Sequence, residues 1–208
     1  LSHKIVIENM LGMSYDKPVR HLREYLSILG PLSKNQPADF KGETYEVHGG
    51  IAAKGSNGFG IVVAALGEQM LRVTAALADG TLTWCTGPST LAGHTIPTIT
   101  KAAEELGRPA PRVIAALPVC VTEDKEAAAV RAAKVFAVYG TLPSYRAMLD
   151  REGAAGPADI AITGSVAEVQ DRVAALASIG VTDFAAVEFG ATPDEIGNTR
   201  EALKGLLK

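Results

Sequence analysis

The chain carries four histidines and two cysteines, and their spacing argues against most metal and nucleophile chemistry. No HxxH, HExxH or CxxC run occurs, so no metal site is expected. Cys85 and Cys120 each lie in an apolar run with no basic residue beside them, which marks them as core thiols. Gly164-Ser165 lacks the surrounding GxSxG of a nucleophile elbow and reads as a helix cap. His21 falls on a predicted helix, His48 in an irregular excursion, His94 near a helix start, and His3 close to the first residue. An imidazole at any of these positions could exchange a proton near neutral pH.

Backbone chemistry is better marked. The apolar run Ile61 to Leu66 stops at Gly67, and a helix is expected to begin at once with Glu68. Such a turn offers unpaired N–H groups and the positive end of a helix dipole to an anion, which makes Ala65, Leu66, Gly67, Glu68 and Gln69 phosphate candidates. An ordinary tight turn without a ligand has the same sequence, so both readings stay open. Thr86-Gly87-Pro88-Ser89-Thr90 follows the next apolar run and offers hydroxyls and backbone donors at an equivalent place. Its competing role is to cap the following helix.

The elements that would hold these groups alternate. A helix is predicted from Lys17 to Leu29, with Asp16 as N-cap and Gly30-Pro31 ending it. Residues 35–58 read as an excursion with a small hairpin around Asp39 to Val47. Strands are then expected over Ile61 to Leu66, Thr81 to Thr86, Arg112 to Val121 and Thr182 to Phe189. Helices are expected between them: Glu68 to Ala78, Leu91 to Leu106, Glu123 to Tyr139, Pro143 to Arg151, and Ser165 to about Ile179. A closing helix from Arg200 to Leu207 would be capped by Asn198 or Thr199.

Strands buried on both faces and separated by helices mean a parallel α/β domain. With no GxGxxG after any strand, a ring of short βα loops around one mouth fits better than a dinucleotide fold. About four core strands are visible, whereas a (β/α)8 barrel closes with eight. Either further strands precede Leu1 or the fold is open.

Composition agrees with a globular chain: 208 residues, 47% apolar and only 21% charged. A net charge of −3 gives no electrostatic footprint for nucleic acid or an anionic membrane. No apolar run is long enough to span a bilayer, and two isolated cysteines suit a reducing compartment, so a cytoplasmic protein is expected. The partners expected are a small-molecule substrate and a second copy of the chain.

The run Ile61 to Gly80 followed by Thr81-Leu82-Thr83-Trp84-Cys85-Thr86-Gly87-Pro88 resembles the luciferase-like flavin family, most closely its coenzyme F420-dependent oxidoreductases. Pro18 to Leu26, Asp39 to Glu43, Pro143 to Leu149 and Gly180 to Phe184 agree in order. The resemblance implies a (β/α)8 barrel of which roughly the first third lies outside this chain. It implies F420, or alternatively FMN, at the C-terminal mouth, with hydride transfer to or from a small organic substrate. The FMN alternative would be a monooxygenase; a relative without catalysis is the third reading. Leu1-Ser2-His3 resembles the loop leaving the fourth strand, which makes His3 the candidate acid/base and Ser2 a cofactor contact. Tyr139, Tyr145 and Arg146 belong to a segment that can overlie the mouth in this family; the other reading is solvated helix surface.

Overall fold

The computed structural model describes residues 3–51 and 55–207. Ser2 lies outside them. The first helix, α1 (Pro18–Leu32), begins after Lys17, which takes the left-handed conformation at φ 50°. Asp16 is therefore not the cap; it is held by the Ser14 hydroxyl instead. Gly30-Pro31 does not end the helix, because Pro31 removes one N–H while Ser33 still donates to the Leu29 carbonyl. The strands β1 (Ala38–Lys41) and β2 (Glu46–Gly49) then pair antiparallel as a hairpin. Glu24 of α1 fastens this hairpin by accepting from the backbone N–H groups of Glu43, Thr44 and Tyr45.

The sheet proper follows the βα alternation. It comprises β3 (Val62–Val63), β4 (Gly80–Trp84), β5 (Arg112–Val121), β6 (Ile162–Gly164) and β7 (Asp183–Glu188), with every pairing parallel. Helix α2 (Glu68–Leu77) joins β3 to β4. Between β4 and β5 one helical run comprises α3 (Pro88–Thr90), a π-turn (Leu91–Thr95) and α4 (Ile96–Glu105). After β5 come α5 (Lys125–Val135) and α6 (Pro143–Glu152); α7 (Val166–Ser178) and α8 (Pro193–Lys204) flank β7.

Two further elements depart from the sequence reading. β6 is a fifth parallel strand that was not expected; three residues are too few to show a period, and only pairing with Val119, Cys120 and Val121 of β5 reveals it. The last helix begins at Pro193, seven residues before the predicted start. Thr192 caps it by accepting from the Glu195 N–H, with Pro193 in the first turn. Thr199 is instead buried inside that helix, where its hydroxyl accepts from the Val121 N–H. The capping box read from Ser165 and Glu168 is present in both directions.

Burial separates the two faces of the sheet. Val63, Ala65, Thr81, Thr83, Val113, Ala115, Leu117 and Val119 face the helices and are buried, most of them completely. Their neighbours Val62, Leu82, Trp84 and Ile114 are only half-buried, and Ala64 is exposed. Side chains alternate along a strand, so the second set lies on the concave face of an arc that does not close on itself within this chain. That open concavity holds the site.

Candidate functional site

A cavity of about 450 Å³ opens along the concave face, lined among others by Val62, Gly67, Leu82, Trp84, Tyr145 and His3. This volume suits a small organic ligand or cofactor ring. Its walls combine apolar side chains with Tyr15, Tyr25, Ser144, Tyr145 and His3, and the His3 and Tyr145 rings lie 5.2 Å apart, tilted 49°.

The turn after β3 reaches the cavity through Leu66 and Gly67. Gly67 is the N-cap of α2 in an extended conformation, with no side chain to satisfy the helix start. Among the described residues, nothing pairs with the N–H groups of Glu68, Gln69 or Met70. The Glu68 carboxylate turns instead to Arg72, 3.0 Å away, one helical turn on. Ala65 does not line the cavity: its side chain is buried under the helices and its carbonyl accepts from the Thr81 hydroxyl. Leu66 is held by His94, whose Nε2 donates to the Leu66 carbonyl at 2.9 Å. A trans peptide sets its C=O and N–H in opposite directions, so fixing the Leu66 carbonyl also fixes the Gly67 N–H. His94 sits in the π-turn between α3 and α4, a distortion that often marks functional positions.

The turn after β4 is built differently. Cys85 takes a left-handed φ of 49°, Thr86 is buried with its hydroxyl donating to the Trp84 carbonyl, and Gly87 caps α3. Here the helix start is already filled. The Glu152 carboxylate accepts from the Ser89 N–H at 3.0 Å and from the Thr90 N–H at 2.7 Å. Gly87 leaves room for it, since a Cβ there would lie 2.3 Å from the Glu152 carboxyl carbon. Two donors of this run, the Ser89 and Thr90 N–H groups, are thus taken by a carboxylate more than sixty residues away in the chain.

Sequence reasoning undervalued three groups. Tyr145, which could be read as solvated surface, lines the cavity on the first turn of α6. Trp84 is a cavity wall as well as a core residue, meeting Tyr139 edge-on at 5.5 Å. His94 shapes the α2 turn rather than touching the cavity. For the first, the signal was in the sequence: Tyr139 and Tyr145 flank Pro143, and their rings meet edge-on at 5.2 Å.

The thiols take no part. Burial pushes Cys85 up to about 12. Cys120 does have a basic neighbour, Arg131 at 3.6 Å, contrary to the sequence reading, but burial still raises its pKa. Among the described residues no cluster of His, Cys, Asp and Glu is arranged to hold a metal ion, and no helix is long and apolar enough to cross a membrane.

A concave parallel sheet ringed by helices, with its cavity at the strand C-terminal ends, is the architecture of a barrel enzyme. Residues 2–206 match the family model described as luciferase-like monooxygenase, and the chain belongs to that family. Within it, the chain is similar to solved enzymes that include an F420-dependent dehydrogenase and monooxygenases, one of the latter, a type II Baeyer-Villiger monooxygenase of Pseudomonas putida, in complex with FMN. An F420-dependent secondary alcohol dehydrogenase, solved with an F420-acetone adduct, superposes with a TM-score of 0.73 at 17% identity, covering 97% of this chain and 66% of that one. The EDTA monooxygenase of Chelativorans sp. BNC1 gives 0.71 at 13% identity, covering 99% and 64%. In sequence, the 5,10-methylenetetrahydromethanopterin reductase of Archaeoglobus fulgidus is 28% identical over 79 residues, 38% of this chain and 24% of that protein. The chain thus spans about two-thirds of the length of these solved relatives.

Proposed function

We propose that this chain forms the cofactor-binding part of an F420-dependent oxidoreductase that transfers a hydride between the cofactor and a small organic substrate. The observation that carries the reading is the start of α2. Three unpaired amides at the positive end of a helix stand at the rim of an apolar cavity that also holds an imidazole. This donor set fits a phosphate, and the cavity fits a flat ring system. Once bound, the cofactor supplies the hydride chemistry.

The chain's own residues bind, orient and exchange protons. The N–H groups of Glu68, Gln69 and Met70 grip the phosphate, with the turn held in shape by His94. Val62, Leu82 and Trp84 exclude water from the ring. His3, which lines the cavity beside Tyr145, holds the proton that accompanies hydride transfer. Preference for F420 over FMN rests on the sequence resemblance and on the likeness to the F420-dependent secondary alcohol dehydrogenase.

Trp84 is the sole tryptophan, and it lines the cavity. Its emission therefore reports binding directly. Titration with F420 should quench it saturably while FMN does not. Quenching by FMN alone would reassign the chain to the flavin monooxygenases, and quenching by neither would overturn the cofactor reading.

A further inference from the structure

We infer that the Tyr145 hydroxyl is a substrate-binding group that donates a hydrogen bond to a carbonyl or hydroxyl oxygen of the substrate, beside His3. The inference rests on the proposed function above for the identity of the cavity, and adds what the substrate must carry.

Tyr145 is half-buried at the cavity, yet among the described residues its hydroxyl has no hydrogen-bond partner. Nor is that oxygen sealed from solvent, since the buried polar atoms without partners are the Trp84 indole nitrogen and the Thr95 hydroxyl. A phenol in this state is a donor without an acceptor. Burial, with Tyr139 and Cys85 nearby, raises its pKa, so the hydroxyl keeps its proton at neutral pH.

The ring is also rigidly placed. His3 and Tyr139 stand on either side, each 5.2 Å away. Helix α6 is tied at its far end by Glu152 to the amides of Ser89 and Thr90, and in its middle by the Thr90 hydroxyl donating to the Met148 carbonyl. Arg146, the next residue, donates to the Ala154 and Ala155 carbonyls. Met148 and Leu149 are buried beneath. A donor fixed on an anchored helix gives up little entropy on binding, which favours orienting a ligand over merely tolerating one. The other walls join apolar side chains with Tyr15, Tyr25 and Ser144, so the ligand offers an oxygen acceptor to Tyr145 and apolar surface to Leu82 and Trp84.

Fluorine NMR of protein grown on 3-fluorotyrosine tests this. The five tyrosines give five signals, and Tyr145→Phe identifies the one of interest. Cyclohexanone, cyclohexanol and methylcyclohexane are titrated as probes, in the presence of whichever cofactor quenches Trp84, or in its absence if neither does. Saturable movement of the Tyr145 signal with the two oxygenated probes and not with the hydrocarbon is expected. Tyr145→Phe should weaken both about 5- to 10-fold by isothermal titration calorimetry, the loss of one hydrogen bond. A signal indifferent to the oxygenated probes, or equal affinity in Tyr145→Phe, would overturn the assignment. Failure of the cofactor titration alone would remove the proposed function and leave the Tyr145 result standing.

Discussion

Two turns in this molecule start from the same plan and end differently. After β3 the chain reads Leu66-Gly67-Glu68, and after β4 it reads Thr86-Gly87-Pro88; each is a strand that stops near a glycine N-cap and passes straight into helix. At the first, the amides of Glu68, Gln69 and Met70 stay unpaired beside the cavity. At the second, the amides of Ser89 and Thr90 are taken by the Glu152 carboxylate. The lesson is that a helix start is an anion site by default, and whether it serves a ligand depends on whether the chain supplies its own anion. Glu152 does so at α3, and in doing so anchors the helix that carries Tyr145.

This contrast can be broken from either side. The largest effect is expected from Glu68→Pro. Proline suits the first helical position, and Gly67 at φ −77°, ψ 152° already has the extended backbone that precedes it, so the helix is kept while one donor disappears. Cofactor affinity measured by Trp84 quenching should fall about 10- to 100-fold, the worth of a charge-assisted hydrogen bond, whereas Glu68→Gln, which keeps the amide, should change little.

At the sealed turn, Glu152→Ala should lower the unfolding free energy by about 1 to 2 kcal/mol, because the part-buried Thr90 amide and the exposed Ser89 amide lose a charged acceptor. Urea denaturation checks this, and added inorganic phosphate should recover part of the loss by occupying the vacated amides. No recovery would mean that the second turn differs by more than its occupant.

His94→Leu should loosen the open turn by removing the bond to Leu66, weakening cofactor binding about fivefold. His94→Gln, which retains a donor, should recover some of this in the same titration.

The smallest effect concerns acid. Lys125 and the Ser165 backbone and hydroxyl hold the Glu168 carboxyl down to about 2. Its folded value lies below its ordinary 4.5, so its contribution is complete above that value and is lost as pH falls toward 2. Glu168→Gln should therefore flatten the fall in melting temperature across that window and nowhere else.

How legible all this was depended on range in sequence. Patterns local to a few residues were readable: β5 runs from Arg112 to Val121 as expected, and the Ser165–Glu168 box is present. The βα alternation likewise gave a parallel α/β domain, and the resemblance carried by Ile61 to Pro88 made it a partial barrel of the luciferase-like type. Misreadings arose where a distant partner decides. That Glu152 takes the Ser89 and Thr90 amides cannot be read from sequence, and β6 is defined only by β5. The start of α8 was a different failure, since Thr192-Pro193-Asp194-Glu195 is a local signal that the later Asn198-Thr199 pair obscured. Likewise, the importance of Tyr145 depended on bringing His3 and α6 to one cavity.

The central claim, that the start of α2 receives the cofactor's phosphate while the start of α3 does not, is tested most directly by amide NMR of nitrogen-labelled protein during an F420 or FMN titration. The account predicts that the Glu68, Gln69 and Met70 amide signals move saturably downfield while those of Ser89 and Thr90 remain in place. Movement at Ser89 and Thr90 instead, or saturation of Trp84 quenching with all five amides unmoved, would contradict it.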